Sequence, residues 1–109
     1  MESNIKALSF TEVPVGRRIK KSKTKLSWVI LVDGKEHQVD LYDSKISGKR
    51  KLLLDTVIQV ESKRKHDPMF QYNFVIGEHK LVMIEQGKRY ELRIDGVSFE
   101  HLKLSLIHI

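Results

Sequence analysis

From residue 26 onward the chain alternates between apolar and polar positions with a period of two, the spacing of strands that bury one face. Leu26, Trp28, Ile30 and Val32 share a face, and Asp33-Gly34 follows. That pair suits a type I′ hairpin turn, whose two central residues both need positive φ. His37, Val39 and Leu41 then alternate with Gln38, Asp40 and Tyr42, and residues 43–48 read as a loop. Residues 52–54 and 57–60 are two short β-prone runs around Asp55-Thr56. Residues 61–68 read as a polar loop, since Pro68 lacks the N–H a central strand needs. Phe70, Tyr72, Phe74 and Ile76 then alternate with Gln71, Asn73 and Val75, up to Gly77. Residues 81–84 form another short run, closed by a turn at 85–88. Tyr90, Leu92 and Ile94 alternate with Glu91 and Arg93 up to the turn Asp95-Gly96, and Leu102, Leu104 and Leu106 predict a last strand. Residues 5–15 can add a strand at the start, while 16–25 read as a mobile basic segment.

No stretch of 10–15 residues carries a helical stripe, which argues against a βαβ fold. The pattern predicts an all-β fold, an antiparallel β-sandwich of seven or eight short strands. Its expected core includes Trp28, Val39, Leu41, Met69, Phe70, Phe74, Met83, Tyr90, Leu92 and Ile94. With 109 residues, 40% apolar and 31% charged, the chain has the composition of one globular domain. The expected division is a basic segment over 1–25 and a sandwich over 26–109. The longest apolar run, residues 28–32, is far shorter than the ~20 residues of a membrane helix. Met1-Glu2-Ser3-Asn4 shows no signal-peptide pattern, and there is no cysteine for disulfides, thiolate metal sites or nucleophilic catalysis. The expectation is a cytoplasmic protein. Residues 104–109 continue the apolar alternation to the last residue, and the expectation is a domain cut from a longer protein.

Charge changes the picture more than composition does. Residues 1–66 carry a net +7 and residues 67–109 a net −1, and thirteen of the twenty basic residues fall in three runs, 17–25, 45–51 and 63–65. Clustered basicity favours an acidic partner. The candidate contacts are Arg17, Arg18, Lys20, Lys21, Lys23 and Lys25, then Lys49, Arg50 and Lys51, then Lys63, Arg64 and Lys65. The partner classes are an acidic protein surface such as the glutamate-rich tails of tubulin (which would place the protein on the cytoskeleton), nucleic acid, or anionic lipid. The basic runs contain no aromatic ring for stacking, so nucleic acid would be bound without sequence preference.

Catalytic chemistry finds no motif. His37, His66, His79, His101 and His108 are scattered without metal-ligand spacing. His37, at an inward-alternating position, reads as a hydrogen-bonded boundary histidine. Ser47-Gly48-Lys49-Arg50 has donors and cations around a loop glycine, but lacks the upstream glycine and following helix of a nucleotide loop. Arg50 is expected to pair with Asp40 or Asp55. No metal or cofactor is expected, and the chain reads as a non-enzyme.

Several of these segments, taken in order, resemble one β domain of the Fas apoptotic inhibitory molecule family. They are Trp28, the turn Asp33-Gly34, the strand His37-Gln38-Val39-Asp40-Leu41, Ser47-Gly48-Lys49-Arg50, Met69-Phe70 with Phe74 and Gly77, and the hairpin Tyr90 to Ser98. The resemblance covers about residues 28–102 and departs at Asp55-Thr56, where the family has an Asp-Gly turn, so a different loop is expected there. Animal members of that family pair two such domains, and residues 1–25 match nothing in it. The resemblance implies a non-catalytic all-β module for protein interaction or self-association through a sheet face or edge strands.

Overall fold

A computed structural model of the chain describes residues 4–107. Strands β1 (Ile5–Pro14), β2 (Lys23–Val32), β3 (Lys35–Ser44), β4 (Lys49–Leu54) and β5 (Val57–Lys63) form one antiparallel sheet in chain order. Strands β6 (Gln71–Ile76), β7 (His79–Gln86), β8 (Arg89–Ile94) and β9 (Val97–Ser98) form the second, also antiparallel and in chain order. Helix α1 (Phe99–Ile107) follows β9. The inner faces meet in one core, with Trp28, Ile30, Val39, Leu41 and Leu52 from the first sheet and Phe74, Leu81, Met83, Leu92 and Ile94 from the second. Phe70, also buried, leads into β6, and Tyr90 is half-buried against the same core.

Four expectations need correcting. Residues 102–106 are helical, not a strand. Ser98 caps that helix, its Oγ accepting the His101 amide at 3.2 Å, and Phe99 and Leu102, three residues apart, turn toward the core. Met69, on the connection between β5 and β6, is 82% exposed, while its neighbour Phe70 takes the buried position. Residues 16–25 divide: Lys23 and Lys25 belong to β2, and Lys20–Ser22 is a single 3₁₀ turn. Asp55-Thr56 does not make a different turn either. Both residues have positive φ (49° and 70°), as do Asp33-Gly34 and Asp95-Gly96. The turn is tightened by Asp55, whose carboxylate accepts the Gln38 amide at 2.8 Å and bonds His37 Nδ1 at 2.6 Å. Residues 108–109, which end the predicted last strand, lie outside the described residues.

The second sheet repeats that device. His79 Nδ1 meets Asp95 Oδ2 at 2.7 Å, and Asp95 Oδ1 accepts the Lys80 amide at 2.9 Å. In both sheets, then, an aspartate at a hairpin tip holds the first turn of the neighbouring strand through a histidine and the following amide. His79 goes further: its Nε2 lies 3.2 Å from Asp33 Oδ2, which joins the two sheets at this end of the sandwich.

Candidate functional site

Antiparallel meanders send alternate connections to opposite ends, and here they separate charge. Connections 33–34, 55–56, 77–78 and 95–96 share one end and carry four carboxylates and no cation. Connections 15–22, 45–48, 64–70 and 87–88 share the other and carry eight Lys and Arg against one carboxylate. The first three of these are tied to each other. The Lys45 amide donates to Ser22 O at 2.8 Å, and the Arg64 amide to Gly48 O at 2.9 Å. Gly48 serves this by its φ of 72°, a conformation that a side chain would disfavour. The molecule measures 46 × 25 × 24 Å.

On the outer face of the first sheet the basic end continues into the strands. The register sets Lys25 beside Tyr42 and Tyr42 beside Lys51, with Lys23 opposite Ser44 and Lys49 opposite Lys63 in the next row. Three ammonium groups gather on one ring: Lys51, Lys23 and Lys25 Nζ lie 5.3, 5.4 and 5.6 Å from the Tyr42 centroid. The ring quadrupole offsets part of their mutual repulsion, by about 0.5–1 kcal/mol per cation at an exposed site. An open cleft of about 710 Å³ lies alongside, lined by Lys23, Tyr42, Lys49, Lys51 and Lys63, with Glu61, opposite Lys51, and Asp67 as carboxylates in its wall. The arrangement attracts anions, and the cleft gives them somewhere to sit.

The twelve candidate residues separate accordingly. Arg17, Arg18, Lys20, Lys21, Lys49, Lys63 and Lys65 are exposed, while Lys23, Lys25 and Lys51 are half-buried around Tyr42. Arg50 is instead an interior residue, 1% exposed. It faces inward at the basic end, where Nη1 donates to Glu85 Oε1 at 2.8 Å, Nη2 to the Asp67 carbonyl, and the guanidinium lies over the Phe70 ring. Its partner is therefore Glu85, not Asp40 or Asp55. Asp40 takes Ser27 Oγ at 2.5 Å and Gln38 Nε2 at 2.9 Å. Arg64 is also committed, donating to Asp43 at 2.9 Å. Although burial opposes it, the Asp43 carboxylate holds the Arg64 pKa above its ordinary value. Beside this pair, burial raises the Tyr90 pKa, and the carboxylates of Asp43 and Glu85 raise it further.

At the acidic end, the hydrogen bond that His79 donates to the Asp95 carboxylate raises the His79 pKa against the effect of burial, with Asp33 adding to the rise. Asp95 is correspondingly lowered, by His79 first and the Lys80 amide next. For Asp55 burial works upward, but the Gln38 amide and His37 together hold it below the usual carboxylate range. Sequence reading missed both histidine–aspartate clamps and Tyr42 as the centre of a lysine cluster. The register of β2, β3 and β4 is needed to see the latter. No protein-family model, curated protein or solved structure matches this chain. Among the described residues no helix is long and apolar enough to cross a membrane.

Proposed function

We propose that the protein is a non-enzymatic cytoplasmic interaction module that docks dense anionic surfaces through its basic end and the adjoining lysine face. One observation carries the reading: the connections of one end hold eight cations and one carboxylate, and those of the other hold only carboxylates. Such a field attracts and orients an acidic partner before contact. The cluster around Tyr42 then supplies short-range contacts. The resemblance to a Fas apoptotic inhibitory molecule domain supports the non-catalytic part of the reading, and the cysteine-free composition supports the cytoplasm. Polyglutamate, a flexible anion with no stacking bases, is the simplest probe. Binding is expected at low salt, falling steeply as salt rises, because screening removes interactions beyond about 8–10 Å. Lys49→Glu, Lys63→Glu and Lys65→Glu together should reduce it at least about tenfold with the fold unchanged. Equal binding by variant and wild type would defeat the proposal.

A second reading, self-association, has its own support. Strand β5 is an open sheet edge with Val57 and Ile58 exposed. A dimer formed there would persist in high salt, and sedimentation at two salt concentrations separates it from electrostatic docking.

A further inference from the structure

We propose that the basic end docks on an anionic lipid bilayer, with Ile19, Ile46 and Met69 entering the headgroup layer. The proposal rests on the reading of that end as an electrostatic docking surface and names the surface. Met69 and Ile46, at 82% and 78%, are the most exposed large hydrophobic side chains among the described residues, and Ile19 follows at 63%, level with Val57 and Val75 on the strands at 62%. Ile19, Ile46 and Met69 do not share an element. One sits on each of the three connections 15–22, 45–48 and 64–70, and the hydrogen bonds Lys45 N to Ser22 O and Arg64 N to Gly48 O hold those connections together. Two are flanked directly by cations, Ile19 by Arg18 and Lys20 and Ile46 by Lys45, while Met69 follows Lys65 by four residues on the same connection.

Isolated apolar loop tips contribute nothing to the core and gain nothing from an acidic polymer, which offers charge but no hydrocarbon. An anionic bilayer offers both. Its phosphates draw the cations, and the region beneath the headgroups accepts apolar side chains, the pairing of signals by which peripheral proteins hold to membranes. The four carboxylate-bearing turns lie at the far end of the molecule, so the same surface potential that draws one end repels the other and sets the orientation. Lys49 and Lys63 line the cleft at this rim, where a lipid headgroup would meet them.

The test compares four probes at one salt concentration: phosphatidylcholine vesicles, vesicles that also contain phosphatidylserine, polyglutamate and single-stranded nucleic acid. The wild-type chain should co-sediment with the phosphatidylserine vesicles and not with the neutral ones. Ile19→Asn, Ile46→Asn and Met69→Gln combined, all at exposed positions, should lower vesicle affinity about tenfold or more and leave polyglutamate binding unchanged. Because the chain has no cysteine, Ile46→Cys accepts a single environment-sensitive fluorophore. Its emission should shift to the blue on phosphatidylserine vesicles, whereas the same label at Val75→Cys, exposed on β6 away from the basic end, should not shift. Binding to polyglutamate without binding to vesicles would overturn the membrane proposal and leave the proposed function standing. Failure with both probes would overturn both. Undiminished vesicle binding by the triple variant, no shift at residue 46, or tighter binding to single-stranded nucleic acid than to vesicles would each also overturn the membrane proposal.

Discussion

Thr56 occupies a position that glycine fills in the two other hairpins of its kind. With φ at 70° its branched Cβ is held against the backbone in the left-handed region, where β-branched residues are rarely found. The strain is local, because the Asp55 clamp, not residue 56, holds the turn. Thr56→Gly is therefore expected to stabilise the fold by about 1 kcal/mol, read as a rise in the urea midpoint with an unchanged slope. Arg50 has the opposite sensitivity. Removing its side chain takes one hydrogen bond each from the Glu85 carboxylate and the Asp67 carbonyl and empties the space over Phe70. Arg50→Ala should cost about 3–5 kcal/mol in chemical unfolding, as loss of one partner from a buried pair does. Lys49→Ala, one residue away and exposed, should stay within about 0.5 kcal/mol. The two adjacent cations, alike in sequence, thus separate into an interior strut and a surface charge.

Hairpins were legible in this chain because period-two alternation and Asp-Gly pairs act over a few residues. Trp28, Val39, Leu41, Phe74, Leu92 and Ile94 accordingly fall in the core. The last element was not legible, since leucines at 102, 104 and 106 satisfy a strand period whichever way the chain turns. What decides for helix is the cap from Ser98 and the docking of Phe99 and Leu102, and docking is a tertiary fact. The histidine–aspartate clamps were hidden for a related reason: His37 and Asp55, or His79 and Asp95, meet only once hairpin register is set. A partial signal did exist, since Gly48-Lys49-Arg50 starts seven residues before Asp55 and Gly87-Lys88-Arg89 eight before Asp95, but it marks the aspartates and not the histidines. The His79 clamp also binds the β2–β3 turn to the second sheet through Asp33, so its protonation bears on how the sheets hold together. His79 has its folded pKa raised, and its contribution is complete below its ordinary value near 6.5 and is lost as pH rises through the folded value. Asp95 has its folded pKa lowered, and its contribution is present above its ordinary value near 3.8 and is lost as pH falls through the folded value. Unfolding free energy should thus decline on the alkaline side of about pH 6.5. His79→Gln should flatten that decline, and an unchanged pH profile in the variant would mean the bridge contributes nothing.

At the scale of the whole molecule, topology turns a modest net charge of +6 into a strongly polar body. The basic runs are visible in the sequence, but their convergence is not. It follows from β1 to β8 running as meanders, so that every second connection returns to the same end. If docking depends on that polarity, the position of a charge matters more than the total. Reversing Arg17, Arg18, Lys20 and Lys21 to Glu changes the net charge by eight at the basic end. These side chains are exposed and outside the strands, so the thermal midpoint should move little, each exposed substitution being worth within about 0.5 kcal/mol. Adding charge of the same sign at the other end, with Lys35→Glu and Lys80→Glu, also makes the protein more acidic, by four. There it strengthens the existing polarity. The first variant should lose most binding to an anionic surface at low salt and show a flatter salt dependence. The second should bind within about twofold of wild type, because its changes stand at the far ends of β3 and β7, roughly 20–30 Å along the strands from the basic end and at least about two Debye lengths at physiological salt. Should both variants lose affinity in proportion to net charge alone, the separation of charge between the two ends has no part in docking. Should the first unfold, residues 17–21 hold the β1–β2 connection in place rather than presenting charge.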